Sequence, residues 1–187
     1  MSTIDRVRRK QLIREAEGYL DLTSLFDDRW SLDAHLKTAM ADRAIECLSE
    51  VNNPQGFKPH VLFLKGQAHR VAGRLAMAAN CLEQSIRLDP ENVHTLLALA
   101  WCYKRIDRVD LAIETLQQAI AVDAESAIVR YNLACYWALT GNVKQSVRYL
   151  AMAFEIDSNY RDMVAREPDF DLVRESPHFQ AIISVNV

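Results

Sequence analysis

No apolar run in this 187-residue sequence approaches the roughly 18 residues that a membrane-spanning helix needs, because its hydrophobic half is scattered at helical spacing. The segment STIDRVRRKQLIREAEGYL at the start is too charged for the apolar core of a secretory signal, so a cytoplasmic chain is expected. A formal net charge of −3 supplies no broad basic field, which argues against nucleic acid as the main ligand. Catalytic signatures are missing too: there is no Gly-rich phosphate loop, G-x-S-x-G, H-E-x-x-H or calcium loop. Cys47, Cys81, Cys102 and Cys135 form no C-x-x-C or Cys/His cluster. They read as small apolar fillers. Neither an enzyme, a metal site nor a cofactor is expected.

A repeat is what the sequence does contain. With Val93 as position 1, position 8 is Ala100, and one equal step backward or forward along the chain reaches Gly66 or Ala134. The same step relates other columns. Position 15 gives Gly73, Asp107 and Gly141, and position 20 gives Ala78, Ala112 and Ser146. Position 24 gives Leu82, Leu116 and Leu150, and position 27 gives Ser85, Ala119 and Ala153. Columns that agree over three registers at one period predict an all-α solenoid of stacked antiparallel helix pairs. Gly73 and Gly141 are expected to end the first helix of a pair in the left-handed region. Gly66, Ala100 and Ala134 are expected where paired helices cross, because a larger side chain would force the axes apart.

The middle repeat, with Leu96, Leu99-Ala100, Tyr103, Ala112 and Leu116, resembles the tetratricopeptide repeat family, and Pro90 closes the repeat before it. Three positions depart from that pattern: Lys65 and His69 in the first repeat and Arg130 in the third. Toward the end, Tyr131-Asn132-Leu133-Ala134-Cys135 precedes Pro168-Asp169-Phe170 and Pro177-His178-Phe179. This order is similar to the closing segment of many bacterial tetratricopeptide repeat groups. The resemblance implies one helical-repeat domain over 1–187: a degenerate pair with an insertion over 1–58, three repeats over 59–158, and a cap over 159–187. Within that frame Cys47 and Cys81 fall at matching positions of successive second helices.

In the degenerate pair, Ser2 and Asp5 open a charged helix expected to reach about Leu22. Ala44 and Leu48 then precede Ala78 and Leu82 by one repeat period, which predicts a second helix over Ala39 to Val51. The stretch from Thr23 to Thr38 holds Leu25, Phe26, Trp30, Leu32 and Leu36, and reads as a helical elbow or a partner-binding arm. Asn52 to Gly56 is rich in turn formers, and Pro59 suits the first turn of the next helix.

In this family the first helices of successive pairs line a concave groove, and positions 2, 5, 6, 9, 12 and 13 face it. The resemblance therefore implies His60, Phe63, Leu64, Gln67, Arg70 and Val71 in the first pair. It implies His94, Leu97, Ala98, Trp101, Lys104 and Arg105 in the second, and Ile128, Tyr131, Asn132, Cys135, Ala138 and Leu139 in the third. Trp101 is either an anchor for a partner or a ring covered by the insertion or the tail. With Arg70, Lys104 and Arg105 on one rim, the surface suits a peptide or helix bearing acidic groups. The implied function is a non-enzymatic adaptor; the alternative is a small secretion-type chaperone that shields an apolar segment of a client. A clamp for the free carboxylate of chaperone tails is disfavoured, because Phe63, Gln67, Ala98, Ile128 and Asn132 replace its polar and basic residues. The sequence also differs in sign at its two termini. Arg6, Arg8, Arg9, Lys10 and Arg14 outnumber Asp5 and Glu15, while residues 155–175 carry seven acids against three arginines, a pattern that permits weak head-to-tail self-association.

Overall fold

A computed structural model describes residues 3–25, 33–51 and 56–184, and the described residues contain helices and no strand. They fall into two compact units, Met1–Pro90 and Glu91–Val187.

In the first unit, α1 (Thr3–Leu25), α2 (Ala34–Ser49), α3 (Lys58–Val71) and α4 (Leu75–Leu88) pack in sequence, each on the next. Both helices of the degenerate pair are longer than expected. α1 continues past Leu22 to Leu25, and α2 begins at Ala34, where the Asp33 side chain accepts the His35 N–H and caps the helix. Ser2, Phe26, Trp30 and Leu32, and with them the cap and most of the elbow read from the sequence, lie outside the described residues. Ile13, Ala16, Ala44, Leu48, Val61 and Ala68 are buried together, so α2 does present the repeat-like face that Ala44 and Leu48 predict. Polar ties join the same helices. Arg74 donates to both oxygens of Asp42 at 2.6 and 3.1 Å, His60 Nε2 meets Glu17 at 2.8 Å, and Ser85 Oγ donates to the Pro59 carbonyl at 2.8 Å.

The second unit begins with α5 (Val93–Arg105), α6 (Val109–Val122), α7 (Ala127–Leu139) and α8 (Val143–Ile156), again packed in order. Across both units α4, α6 and α8 start at Leu75, Val109 and Val143, in step with the period of the sequence, and the columns at positions 20, 24 and 27 are buried throughout. The crossings are as expected. Ala100 and Ala134 have no exposure, and a Cβ on Gly66 would come within 2.6 Å of Leu82 Cγ. Helices α3, α5 and α7 stop in the same way. Gly73, Asp107 and Gly141 have φ of 72°, 61° and 73°, and the next N–H reaches back to the carbonyl of His69, Tyr103 or Trp137. Asp107 adopts this backbone without glycine's freedom, which short polar side chains tolerate best.

Three short elements close the second unit: α9 (Tyr160–Val164), a 3₁₀ turn at Pro168–Phe170 and α10 (Pro177–Ser184). The turn packs on α7, and α9 and α10 pack on α8. Val164, Phe170, Val173 and Phe179 are at most 1% exposed. Arg174 donates to the carbonyls of Val164 and Glu167 and so ties the segment to itself.

Candidate protein-binding surface

Within the second unit, helical spacing places His94, Leu97, Trp101 and Arg105 along one side of α5, at i, i+3, i+7 and i+11. This side remains accessible: His94 and Arg105 are exposed, and Leu97 and Trp101 are half-buried. The Arg105 guanidinium carbon lies 5.6 Å from the centre of the Trp101 ring. Such a cation over an indole is worth about 0.5–1 kcal/mol at an accessible site and biases the ring toward that orientation. Ala98, at position 6 of the same helix, is only 6% exposed and belongs to the core.

The corresponding part of α7 has a different fate. Ile128 is 46% exposed and Asn132 is half-buried, but Tyr131 and Cys135 retain only 3% and 2%, and Ala138 none. The chain's own closing segment covers them. Tyr131 stacks at a tilt on Tyr160 with centroids 4.8 Å apart and meets the edge of Phe170 at 5.8 Å, and Phe170 in turn packs on Phe179 at 5.2 Å. Burial pushes the Tyr131 hydroxyl and the Cys135 thiol far above their ordinary pKa values, with Glu167 and Asp169 adding to the effect.

Lys104 is drawn into the same closure. Its ammonium donates to Asp169 Oδ2 at 2.5 Å, with the two side chains 23% and 10% exposed, and it also stands 5.8 Å from the Tyr136 ring centre. A cation neutralised in this way no longer attracts a ligand from a distance. Asp169 is absent from the groove positions that the sequence implies. The only signal for it is its place between Pro168 and Phe170 in the cap motif.

Displacing the cap would be costly. Each of Val164, Phe170, Val173 and Phe179 contributes about 1.5–3 kcal/mol by burial, so the four together match the roughly 8 kcal/mol of an entire micromolar complex. A ligand of that affinity does not supply the free energy to displace it.

In the first unit, α3 carries the other expected contacts. His60 is exposed and held by Glu17, Phe63 is half-buried with its ring 6.5 Å from that of His60, and Gln67, Arg70 and Val71 are half-buried. Leu64 is 6% exposed and lies in the core. Of the residues that depart from the family pattern, His69 and Arg130 are each 8% exposed. His69 Nδ1, and Nε and one terminal nitrogen of Arg130, have no hydrogen-bond partner among the described residues.

Among the described residues no group of three or more His, Cys, Asp or Glu side chains could hold a metal ion, and no helix is long and apolar enough to cross a membrane.

Residues 72–133 match the family model described as tetratricopeptide repeat. No curated protein matches the sequence. Solved structures do resemble it. A crystal structure of MamA protein shares 18% identity and a TM-score of 0.66, covering 90% of this chain and 86% of that one. MamA AMB-1 shares 18% identity with a TM-score of 0.62 over 98% and 99% of the two chains. A MamA structure from Desulfovibrio magneticus RS-1 shares 17% identity with a TM-score of 0.59 over 90% and 93%. At these identities the likeness establishes the fold. Residues 72–133 are thus similar to tetratricopeptide repeats, and the described residues form antiparallel helix pairs of the same fold as those structures. The fold, with the match over residues 72–133, supports a protein–protein interaction module.

Proposed function

We propose that the protein is an adaptor that holds a peptide or helix of another protein against α5, with Trp101 as the anchor. One observation carries this reading: a tryptophan outside the family's core positions is half-exposed on a straight stripe with Leu97 and His94, with Arg105 over its ring. Large rings of this type dominate interface energetics, because they bury much area at little entropic cost. The site is narrower than the one implied by family positions. On α7 only Ile128 and Asn132 join it, because the cap occupies Tyr131 and Cys135. Steering of acidic groups in this unit falls to Arg105, since Asp169 already holds Lys104.

Peptides selected by display against the intact protein, then resynthesised and titrated, test the reading. Trp101→Ala is expected to weaken binding by about 2 kcal/mol or more. Arg105→Ala is expected to weaken it less, and only for peptides with acidic side chains. A folded Trp101→Ala protein that binds the same peptides with unchanged affinity refutes the proposed surface.

A further inference from the structure

At the start of α1, Ile4 is 78% and Val7 60% exposed. With Arg8 and Gln11 they form an accessible face on the side of the helix turned away from buried Arg9, Ile13 and Ala16. Bases surround them. Arg6, Arg8, Lys10 and Arg14 are all exposed, and between Thr3 and Arg14 only Asp5 opposes five basic residues. Arg8 reaches Glu50 at a loose 3.4 Å, and both side chains remain more than half exposed.

The closing segment of the second unit presents the complementary chemistry. Leu172 is 73% exposed and Met163 51%. Asp162, Asp171 and Glu175, all exposed, accompany them in a stretch where acids outnumber arginines seven to three. Asp171 is paired locally with Arg174 at 3.1 Å.

From this pairing we propose that the protein associates with itself head to tail. The Ile4–Val7 face of one copy meets Leu172 of a second, and the bases of α1 face Asp171 and Glu175. Two identical basic surfaces repel each other, as do two acidic ones, so each patch needs the opposite one as its counterpart. A basic apolar patch and an acidic apolar patch on one chain suit each other between copies, either in an open chain or in a reciprocal dimer. The patches are small beside the roughly 800 Å² per partner of a standard stable interface, so the association is weak and sensitive to salt.

The experiment measures mass by sedimentation or light scattering from about 10 µM to about 1 mM, a range that brackets weak binding. The wild-type mass is expected to rise with concentration above that of the monomer, and to rise less in high salt. Val7→Asp and Leu172→Asp alter exposed positions, so folded proteins are expected, with circular dichroism as the check. Each variant alone is expected to remain monomeric. Mixed one to one they are expected to form a dimer, because each retains the surface that the other lacks. The proposal is overturned if the wild-type protein stays monomeric throughout, if Leu172→Asp associates like the wild type, or if the mixture stays monomeric. It is overturned as well if a monomeric wild-type protein binds vesicles of anionic lipid in a Val7-dependent way, because the α1 face would then serve a membrane. The salt dependence of the wild-type protein alone decides the matter should either variant misfold.

Discussion

Helices α5 and α7 occupy the same place in successive repeats, yet they treat equivalent positions in opposite ways. At positions 5 and 9, α5 leaves Leu97 and Trp101 half-exposed, whereas α7 buries Tyr131 and Cys135 beneath the Phe170 turn. Repeat geometry determines which direction a side chain points. What lies in that direction depends on non-periodic contacts, here made by a segment about one repeat further along the chain. The closing segment thus packs on α7 and takes Tyr131 and Cys135, though not Ile128, out of the accessible surface.

Removing the covering ring attacks that difference directly and should have the largest effect. Phe170→Ala empties a fully buried site and is expected to cost about 3–5 kcal/mol in denaturant unfolding. It should also expose Cys135, whose alkylation in the folded wild-type protein is expected to be slow because burial both shields the thiol and raises its pKa. Faster alkylation of Cys135 with the α5 surface unaffected would make α7 resemble α5. Unchanged alkylation would mean that the cap does not control access.

The helix pairs were legible in the sequence because its period records which residues meet across a crossing. Gly66, Ala100 and Ala134 are buried as that period requires, and Gly73, Asp107 and Gly141 share one left-handed stop. The cap motif could be seen, but its docking could not. The ion pair between Lys104 and Asp169 joins distant parts of the chain that no repeat column relates. The extent of α2 was missed for a local reason: Asp33 caps it from within a stretch that reads as an insertion.

Position 8 extends the comparison to the first unit. Alanine is accommodated without exposure at Ala100 and Ala134, but a methyl group on Gly66 would fall 2.6 and 2.8 Å from Leu82 Cγ and Cδ2. Leu82 is fully buried and Cγ is not a mobile tip, so the helices must shift. Overpacking of this type costs about 1–3 kcal/mol, and the better helix propensity of alanine returns about 1 kcal/mol. Gly66→Ala is therefore expected to lose about 1 kcal/mol in chemical denaturation. A gain of stability would show that α3 and α4 are less tightly apposed than α5 and α6.

Position 11 gives an effect no larger than that, and the one that pH can isolate. Tyr103 and Trp137 supply the aromatic ring in the second unit, while α3 uses His69, buried with Nδ1 unpartnered among the described residues. Burial is the main cause that lowers the His69 pKa below 6.5; Arg74 and Lys65 reinforce it, and Asp42 opposes it. Between that lowered value and about 6.5 the unfolded chain binds more protons than the folded one, so stability rises with pH through this window and declines as the solution is acidified. His69→Phe restores the aromatic pattern and removes both the titration and the unpartnered nitrogen. The variant is expected to gain about 1 kcal/mol near neutral pH and to lose part of the wild-type decline below about pH 6.5. If both proteins lose stability in parallel on acidification, another group carries the dependence, and the ring at position 11 of α3 is equivalent to its counterparts in α5 and α7.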